Sequence, residues 1–404
     1  MNDRNNFLAK RMSLIKPSPT MAVTKLAAEM KAQGKNVIGL GAGEPDFDTP
    51  DHIKKAAIEA INNGQTKYTA VDGTPELKKA VINKFKKDND LNYNMDEVII
   101  SVGGKQVLFN AFLSSINDGD EVIILAPYWV SYPDMVALAG GVPIIVQGKL
   151  SNNFKATAQD IEKNISNKTK WIIINSPSNP TGSSYNKEEL KELGNLLLQY
   201  KDVNIMSDDI YEKIIYDNND FFTIAQVEPK LKHRTLTING VSKAYAMTGW
   251  RIGYAGGPKN LISAMAKLQS QSTSNPSSIS QAAALAALEG PEDFLIDRNN
   301  QFKNRRDLVV NMLNNCNGLS CLRPTGAFYV YPSCEGVLVK KTNDGKIINS
   351  SMDFSSYLLE SEGVAVVPGN AFGLDPFFRI SYATSEAILE DACNRIMNAC
   401  NNLS

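Results

Sequence analysis

Two side chains in the segment Thr237–Gly257, TINGVSKAYAMTGWRIGYAGG, have types and spacing that could do covalent chemistry. Lys243 follows the apolar run Thr235–Ile238 in a turn rich in glycine and serine, and Arg251 lies eight residues later. A lysine at a strand end is ordinarily a solvated surface residue. One set among small and aromatic residues, beside a second cation, can lose its proton easily enough to attack a carbonyl and form a Schiff base. The arginine offers a fixed charge suited to a phosphate. Together they are the groups that would hold pyridoxal 5′-phosphate, and the remaining motifs must decide between that and the plain surface reading.

Five other runs supply groups suited to such a ligand. SVGGKQ (Ser101–Gln106) passes from a strand into a helix through Gly103 and Gly104. Bare backbone there can approach an anion, and the first free N–H groups of the helix point at it. Trp129, in the Pro-flanked turn APYWVSYP, is either a core residue or a flat indole that stacks on a planar ring. Asn179, in NSPSNPTG after the apolar WIII, is either part of a plain turn or an amide donor held rigidly at a strand end. In NIMSDDIYEK, Asp208 leaves an apolar strand, where a partly buried carboxylate can pair with a protonated ring nitrogen. Adjacent Asp209 competes for that role, and Tyr211 is a hydroxyl donor three residues on from Asp208. Arg379, in FFRISYATS, stands among apolar and aromatic residues; burying it unpaired is costly, so it needs a carboxylate, internal or a substrate's.

These groups need elements that bring them together. Apolar runs at Glu97–Ser101, Glu121–Leu125, Val142–Val146, Trp171–Asn175, Val203–Ser207 and Thr235–Ile238 read as strands. Helical spacing separates them at Gln106–Ile116, Val130–Ala139, Ala158–Ile165 and Lys187–Tyr200. Such alternation predicts an α/β layer fold on a largely parallel sheet, which binds ligands beyond the carboxyl ends of its strands. Ahead of it, helices are expected at 22–33, from Pro50 to about Asn62 with Asp48 or Thr49 as cap, and at Pro75–Lys87, with a strand at Val37–Leu40. After the long helix expected at Pro291–Leu313 the texture changes, and the last third reads as a smaller α+β domain. The division predicted is 46–295 for the large domain and 1–45 with 296–404 for the small one.

Composition narrows the function classes. At 404 residues two domains are natural. A net charge of −1, from 42 basic and 43 acidic residues, argues against a polyanion partner. Five cysteines without a CxxC pair, and only two histidines, argue against a disulfide framework, a metal centre or a Ser-His-Asp triad. The sequence shows no signal-like N-terminus and no apolar run of roughly 20 residues, so a cytoplasmic location is expected. No G-x-G-x-x-G follows an early strand, which disfavours a dinucleotide-binding enzyme.

NPTG at Asn179–Gly182, SDDIY at Ser207–Tyr211 and SKAYAMTGWRIG at Ser242–Gly253, in this order, resemble the fold-type I, class I aminotransferases. The likeness runs from KPSPT at Lys16 to SYATSE ending at Glu386 and is closest to the bacterial aspartate aminotransferases, including a branch that accepts prephenate. The resemblance implies a mainly parallel seven-stranded sheet in the large domain and transfer of the amino group of aspartate to 2-oxoglutarate. It implies that Lys243 holds the cofactor's aldehyde carbon and later moves the substrate's proton. Asp208 would face the ring nitrogen, Asn179 and Tyr211 the ring oxygen, and Trp129 the ring face. Gly104, Lys105 and Arg251 would hold the phosphate, with Tyr68 reaching the site of a second subunit in a homodimer. Arg379 would clamp the α-carboxylate, with Gly43 lining the same pocket.

Two departures stand out. Many relatives carry a phosphate-binding serine three residues before the lysine; here that residue is Gly240, leaving Ser242 to take over. The arginine that aspartate aminotransferases place ahead of an SNP segment is replaced by Ser270, ahead of Ser274–Pro276. The resemblance to the prephenate-accepting branch assigns the distal carboxylate to Lys105 instead, with Thr20 and Lys16 from the N-terminal segment. The first competing reading is the same chemistry with another donor or acceptor: prephenate, an aromatic amino acid or alanine; a lyase on the same scaffold and a regulator come after it. The regulator would need an added domain, for which the roughly 40 residues ahead of the first site loop are too few.

Overall fold

The computed structural model describes residues 7–404; the first six, part of the segment assigned above to the smaller domain, lie outside the described residues. Seven short segments form one sheet: β1 (Val98–Ser101), β2 (Glu121–Ala126), β3 (Val142–Gln147), β4 (Thr169–Asn175), β5 (Asn204–Asp208), β6 (Thr235–Gly240) and β7 (Gly253–Gly256). Their order is β1-β7-β6-β5-β4-β2-β3. All neighbours are parallel except those of β7, which runs antiparallel between β1 and β6. Side chains of successive residues go to opposite faces: Trp171, Ile173 and Met206 pack with helix residues such as Leu108, Phe112 and Met265, whereas Ile172, Ile174 and Ile205 pack with Leu190, Leu193 and Leu197. Coverage on both faces is why the central strands are apolar without interruption.

Strand β7 escapes apolar periodicity because its sequence is GYAG. Its glycines are needed for close approach. A side chain on Gly253 would collide with the backbone of Gly103 and Gly104, and one on Gly256 with the Tyr93 ring. Two helices, Lys259–Ser270 and Ser278–Glu289, also went unassigned from the sequence. The helix expected from Pro50 spans Asp51–Asn62, but neither expected residue caps it; Pro50 occupies the N-cap, and Thr49 donates its hydroxyl to the Ala246 carbonyl instead.

The last third builds a second, mixed unit. Tyr329–Val330, Phe378–Ser381 and Val367–Pro368 form a small antiparallel sheet, flanked by helices Phe294–Asn314, Ser351–Glu362 and Glu386–Asn401. Ile38–Gly39 pairs parallel with Val364–Ala365, which fixes the following loop, Gly41–Glu44, against this unit. The core here also takes in Tyr211, Ile214 and Tyr216 from the chain just after β5. No helix among the described residues is long and apolar enough to cross a membrane.

Candidate active site

Sheet register sets the site. Asn175 at the end of β4 pairs with Asp208 at the end of β5, and Asp208 pairs with Ile238 of β6. The parallel strands therefore release Asn179, Asp208, Tyr211 and Lys243 at one rim. Because β7 runs the other way, the residues that precede it reach that same rim; Gly253 pairs with both Gly240 and Ser101, and Arg251 lies two residues ahead. The rim encloses a cavity of about 400 Å³ whose walls include Gly43, Glu44, Gly104, Lys105, Trp129, Tyr132, Asn175, Asn179, Asp208, Tyr211, Ser242, Lys243, Arg251, Tyr329 and Arg379. From the N-terminal segment, Ser18, Thr20 and Met21 join them.

Lys243 donates its Nζ to the Gly43 carbonyl at 2.5 Å and pairs with no carboxylate among the described residues. Loss of solvent pushes its amine down to about 8, with Arg379 and Arg251 adding to the effect and Glu44 and Asp208 opposing it. A fraction of such an amine is neutral near pH 7, which a nucleophile or base requires.

The two adjacent carboxylates separate cleanly. Asp208 is on the cavity wall, buried, with its Oδ2 accepting from the Tyr132 hydroxyl at 2.5 Å. Burial raises its pKa, opposed by the Tyr132 and Ile210 hydrogen bonds and by the charge of Lys243. Asp209 is not on the cavity wall and accepts from Ser207 at 2.7 Å; its Oδ2 has no hydrogen-bond partner among the described residues, and burial, opposed by Thr223 and Ser207, pushes its carboxyl up to about 8.

Arg379 is 1% exposed and makes no ion pair among the described residues. Its Nη1 donates to Asn179 Oδ1 at 2.8 Å and its Nη2 to the Gly41 carbonyl at 2.6 Å, while Nε is buried without a partner among the described residues. The guanidinium lies over Tyr329 and Phe372, 4.6 and 5.0 Å from their ring centres. A buried charge left in this state is set up for an anion from outside. Among the described residues Lys105 likewise pairs with no carboxylate; its Nζ lies 4.8 Å from the Trp129 ring centre, and loss of solvent together with Arg251 lowers its proton affinity.

The anion cradle rests on glycine. Gly103 has φ +84° and caps the helix Gly104–Ser115, and the Arg251 guanidinium packs where a side chain on Gly103 would be. Bare N–H groups and a guanidinium thus face one corner of the cavity, and they suit a phosphate. Space at Gly240 is tight, since a Cβ there would meet the Ile252 carbonyl oxygen at 3.0 Å, whereas Ser242 lines the cavity.

Two expected residues are not brought in. Lys16 does not line the cavity; its backbone and charge act on Asp134 instead. Tyr68 is 91% exposed and borders a different surface, beside Thr273–Ile279. Sequence reasoning also passed over four wall residues: Glu44, Tyr132, Asn175 and Tyr329. Glu44, Tyr132 and Asn175 each lie inside a run singled out for another residue, whereas Tyr329 lies in a stretch from which no site residue was drawn. Asn175 donates to the Asp208 carbonyl and accepts from the Asn179 N–H, both at 2.8 Å, and the Tyr329 hydroxyl is 2.8 Å from that of Tyr211. The donor set, one buried amine, one buried carboxylate on the wall and one corner of N–H groups with a guanidinium, suits a phosphorylated aldehyde with a protonated ring.

Residues 35–396 match the family described as aminotransferase class I and II. Over 394 residues the chain is 58% identical to the probable aspartate/prephenate aminotransferase of Rhizobium leguminosarum bv. phaseoli, covering 98% of each. It is 57% identical to the aspartate aminotransferase of Rhizobium meliloti (strain 1021), over 98% of this chain and 97% of that one. The crystal structure of the Rhizobium meliloti aspartate aminotransferase superposes with a TM-score of 0.96 at 56% identity, covering 98% and 99% of the two chains. The aspartate aminotransferase from Thermus thermophilus with maleate gives a TM-score of 0.90 at 43% identity, covering 97% and 99%.

Proposed function

The chain belongs to the class I and II aminotransferases, and we propose that it moves the amino group of L-aspartate to 2-oxoglutarate, giving oxaloacetate and L-glutamate, with pyridoxal 5′-phosphate as cofactor. The observation that carries the substrate class is the pair of cations on the cavity wall, Arg379 and Lys105, neither of which pairs with a carboxylate among the described residues. Two such charges answer the two carboxylates of aspartate.

When bound, the cofactor supplies an aldehyde that accepts the amino group and a ring that draws electrons from the substrate's Cα. Arg251 and the N–H groups at Gly104 and Lys105 hold its phosphate, aided by Ser242. Trp129 covers the ring face, Asp208 faces the ring nitrogen, and Asn179 and Tyr211 face the ring oxygen. Lys243, once its amine is free, takes the proton from Cα and returns it on the cofactor's side. Arg379 grips the α-carboxylate beside Gly43 and so fixes the Cα–H bond relative to that amine. Lys105 and Thr20 take the distal carboxylate. Lys16 would join them only if the segment ahead of Pro19 moved inward.

Exposed Tyr68 supports a homodimer in which it reaches the partner's phosphate site. The large and small domains are those divided at 46–295 and 1–45 with 296–404. Five buried cysteines without disulfides suit a reducing, cytoplasmic compartment. A second reading, amination of prephenate, is favoured by the cavity of about 400 Å³ and by the double name of several relatives. The decisive experiment is a half-reaction screen of aspartate, glutamate, phenylalanine, alanine and the prephenate product, with borohydride trapping of the cofactor. Aspartate should lead and the label should fall on Lys243. A label on another lysine, or consumption of amino acid beyond one equivalent per site with no 2-oxo acid present, would overturn the proposal.

A further inference from the structure

Tyr132 enters the site by a route that neither the motif reading nor the proposed roles assign. It lies in the second position of the short helix Ser131–Leu138, is buried, and points its hydroxyl into the polar floor of the cavity. Two contacts define it. Its hydroxyl donates to Asp208 Oδ2 at 2.5 Å, the one side-chain hydrogen bond that this carboxylate receives among the described residues. Its ring meets Trp129 edge to face, with centroids 5.3 Å apart and planes at 85°. One side chain therefore touches both the group proposed to face the cofactor's ring nitrogen and the group proposed to cover its ring.

We propose that Tyr132 is a positioning residue for the cofactor: its hydroxyl keeps Asp208 ionised and aimed into the cavity, and its ring edge fixes the plane of Trp129. The inference rests on the function proposed above and names a residue that acts through Asp208 rather than on the substrate. A carboxylate sealed from water favours its neutral form unless donors compensate. The groups facing Asp208 are few: the Tyr132 hydroxyl from its helix, the Ile210 N–H and Tyr211 from the turn after β5, and the Lys243 charge from the turn after β6. Asp209 beside it is occupied with Ser207. Among these, Lys243 is meant to lose its charge in the reaction, so the neutral donors must hold the carboxylate while it does. Tyr132 suits that task because its own hydroxyl is held far above its ordinary pKa by burial and by Asp208, and keeps its proton.

The test uses the cofactor-loaded enzyme with Tyr132→Phe, which preserves the ring against Trp129 and removes only the donor. Cofactor affinity, measured by equilibrium dialysis, should weaken and kcat should fall, each roughly 10- to 100-fold, the range of one hydrogen bond to a charged acceptor. KM for aspartate should stay unchanged. Because an unassisted Asp208 takes up a proton more readily, the acid limb of kcat should move to higher pH. Fluorotyrosine at 132, a stronger donor of nearly the same shape, should move that limb the opposite way, and it covers the case in which Tyr132→Phe fails to fold. Combined with Asp208→Asn, Tyr132→Phe should add no further loss of cofactor affinity. Independent, additive losses in that cycle, or an acid limb that neither variant moves, would overturn the role of Tyr132 while leaving the proposed function intact. An unmutated enzyme that neither binds pyridoxal 5′-phosphate nor transaminates would overturn both.

Discussion

Lys105→Ala separates binding of the second carboxylate from everything else the site does. The substitution deletes the ammonium but keeps the backbone N–H at the start of the helix Gly104–Ser115, so the phosphate cradle with Arg251 should survive and cofactor affinity should change little. What it removes is a cation with no carboxylate partner among the described residues, resting over Trp129 and already short of solvent. A hydrogen bond between charged groups contributes ~1.5–3 kcal/mol, so kcat/KM for aspartate should fall about 10- to 150-fold. Alanine and phenylalanine carry no second carboxylate and should lose none of this. For them the change removes a charge beside Arg251 and opens apolar room against Trp129. The measurement is the ratio of kcat/KM for aspartate to that for alanine, taken in single-turnover half-reactions so that the acceptor does not enter. An unchanged ratio would refute the reasoning, whatever happened to the absolute rates, because it would place the distal carboxylate elsewhere.

Arg379→Ala should raise KM for every amino-acid substrate alike, losing on the order of 1.5–3 kcal/mol of binding, and steady-state kinetics showing an unchanged KM would remove the arginine from the substrate. Asp208→Asn should depress kcat far more than Asp209→Asn, since Asp208 is on the cavity wall and Asp209 is not; the reverse ranking would exchange their roles. Asp209 affects stability instead. Its carboxyl is held protonated up to about 8 in the folded chain, whereas an unfolded aspartate ionises near pH 4. The folded state therefore binds the extra proton, and stability falls as pH rises between those values. Asp209→Asn, which cannot ionise, should gain on the unmutated chain across that window by a few kcal/mol at most. Urea denaturation at pH 5 and at pH 8 reads the difference, and a gap that does not widen with pH would contradict it.

How much of this site was legible depended on whether a residue announces itself locally. Lys243, Asp208 and Asn179 did, because each is a polar group just past an apolar run, and strand ends are where a parallel sheet presents ligands; Arg379 did because a charge set among apolar and aromatic residues demands a partner. Tyr132 and Tyr329 did not. Each belongs to an aromatic stretch that reads as core, and only the fold shows that their hydroxyls meet Asp208 and Tyr211 across 76 and 118 residues. The placing of Lys16 was illegible for the opposite reason: a lysine in an extended N-terminal segment has nothing nearby in the chain to fix where it points, and here its backbone and charge act on Asp134. The least legible feature was the direction of β7. Its four residues are too glycine-rich for a strand pattern, yet their antiparallel course brings Arg251 to the rim where the six other strands end. A parallel strand there would carry the arginine to the far edge of the sheet. Gly253, one of the two glycines that hide β7 from periodicity, is thus the one that lets the strand pass close by Gly103 and Gly104 and so assemble the anion cradle.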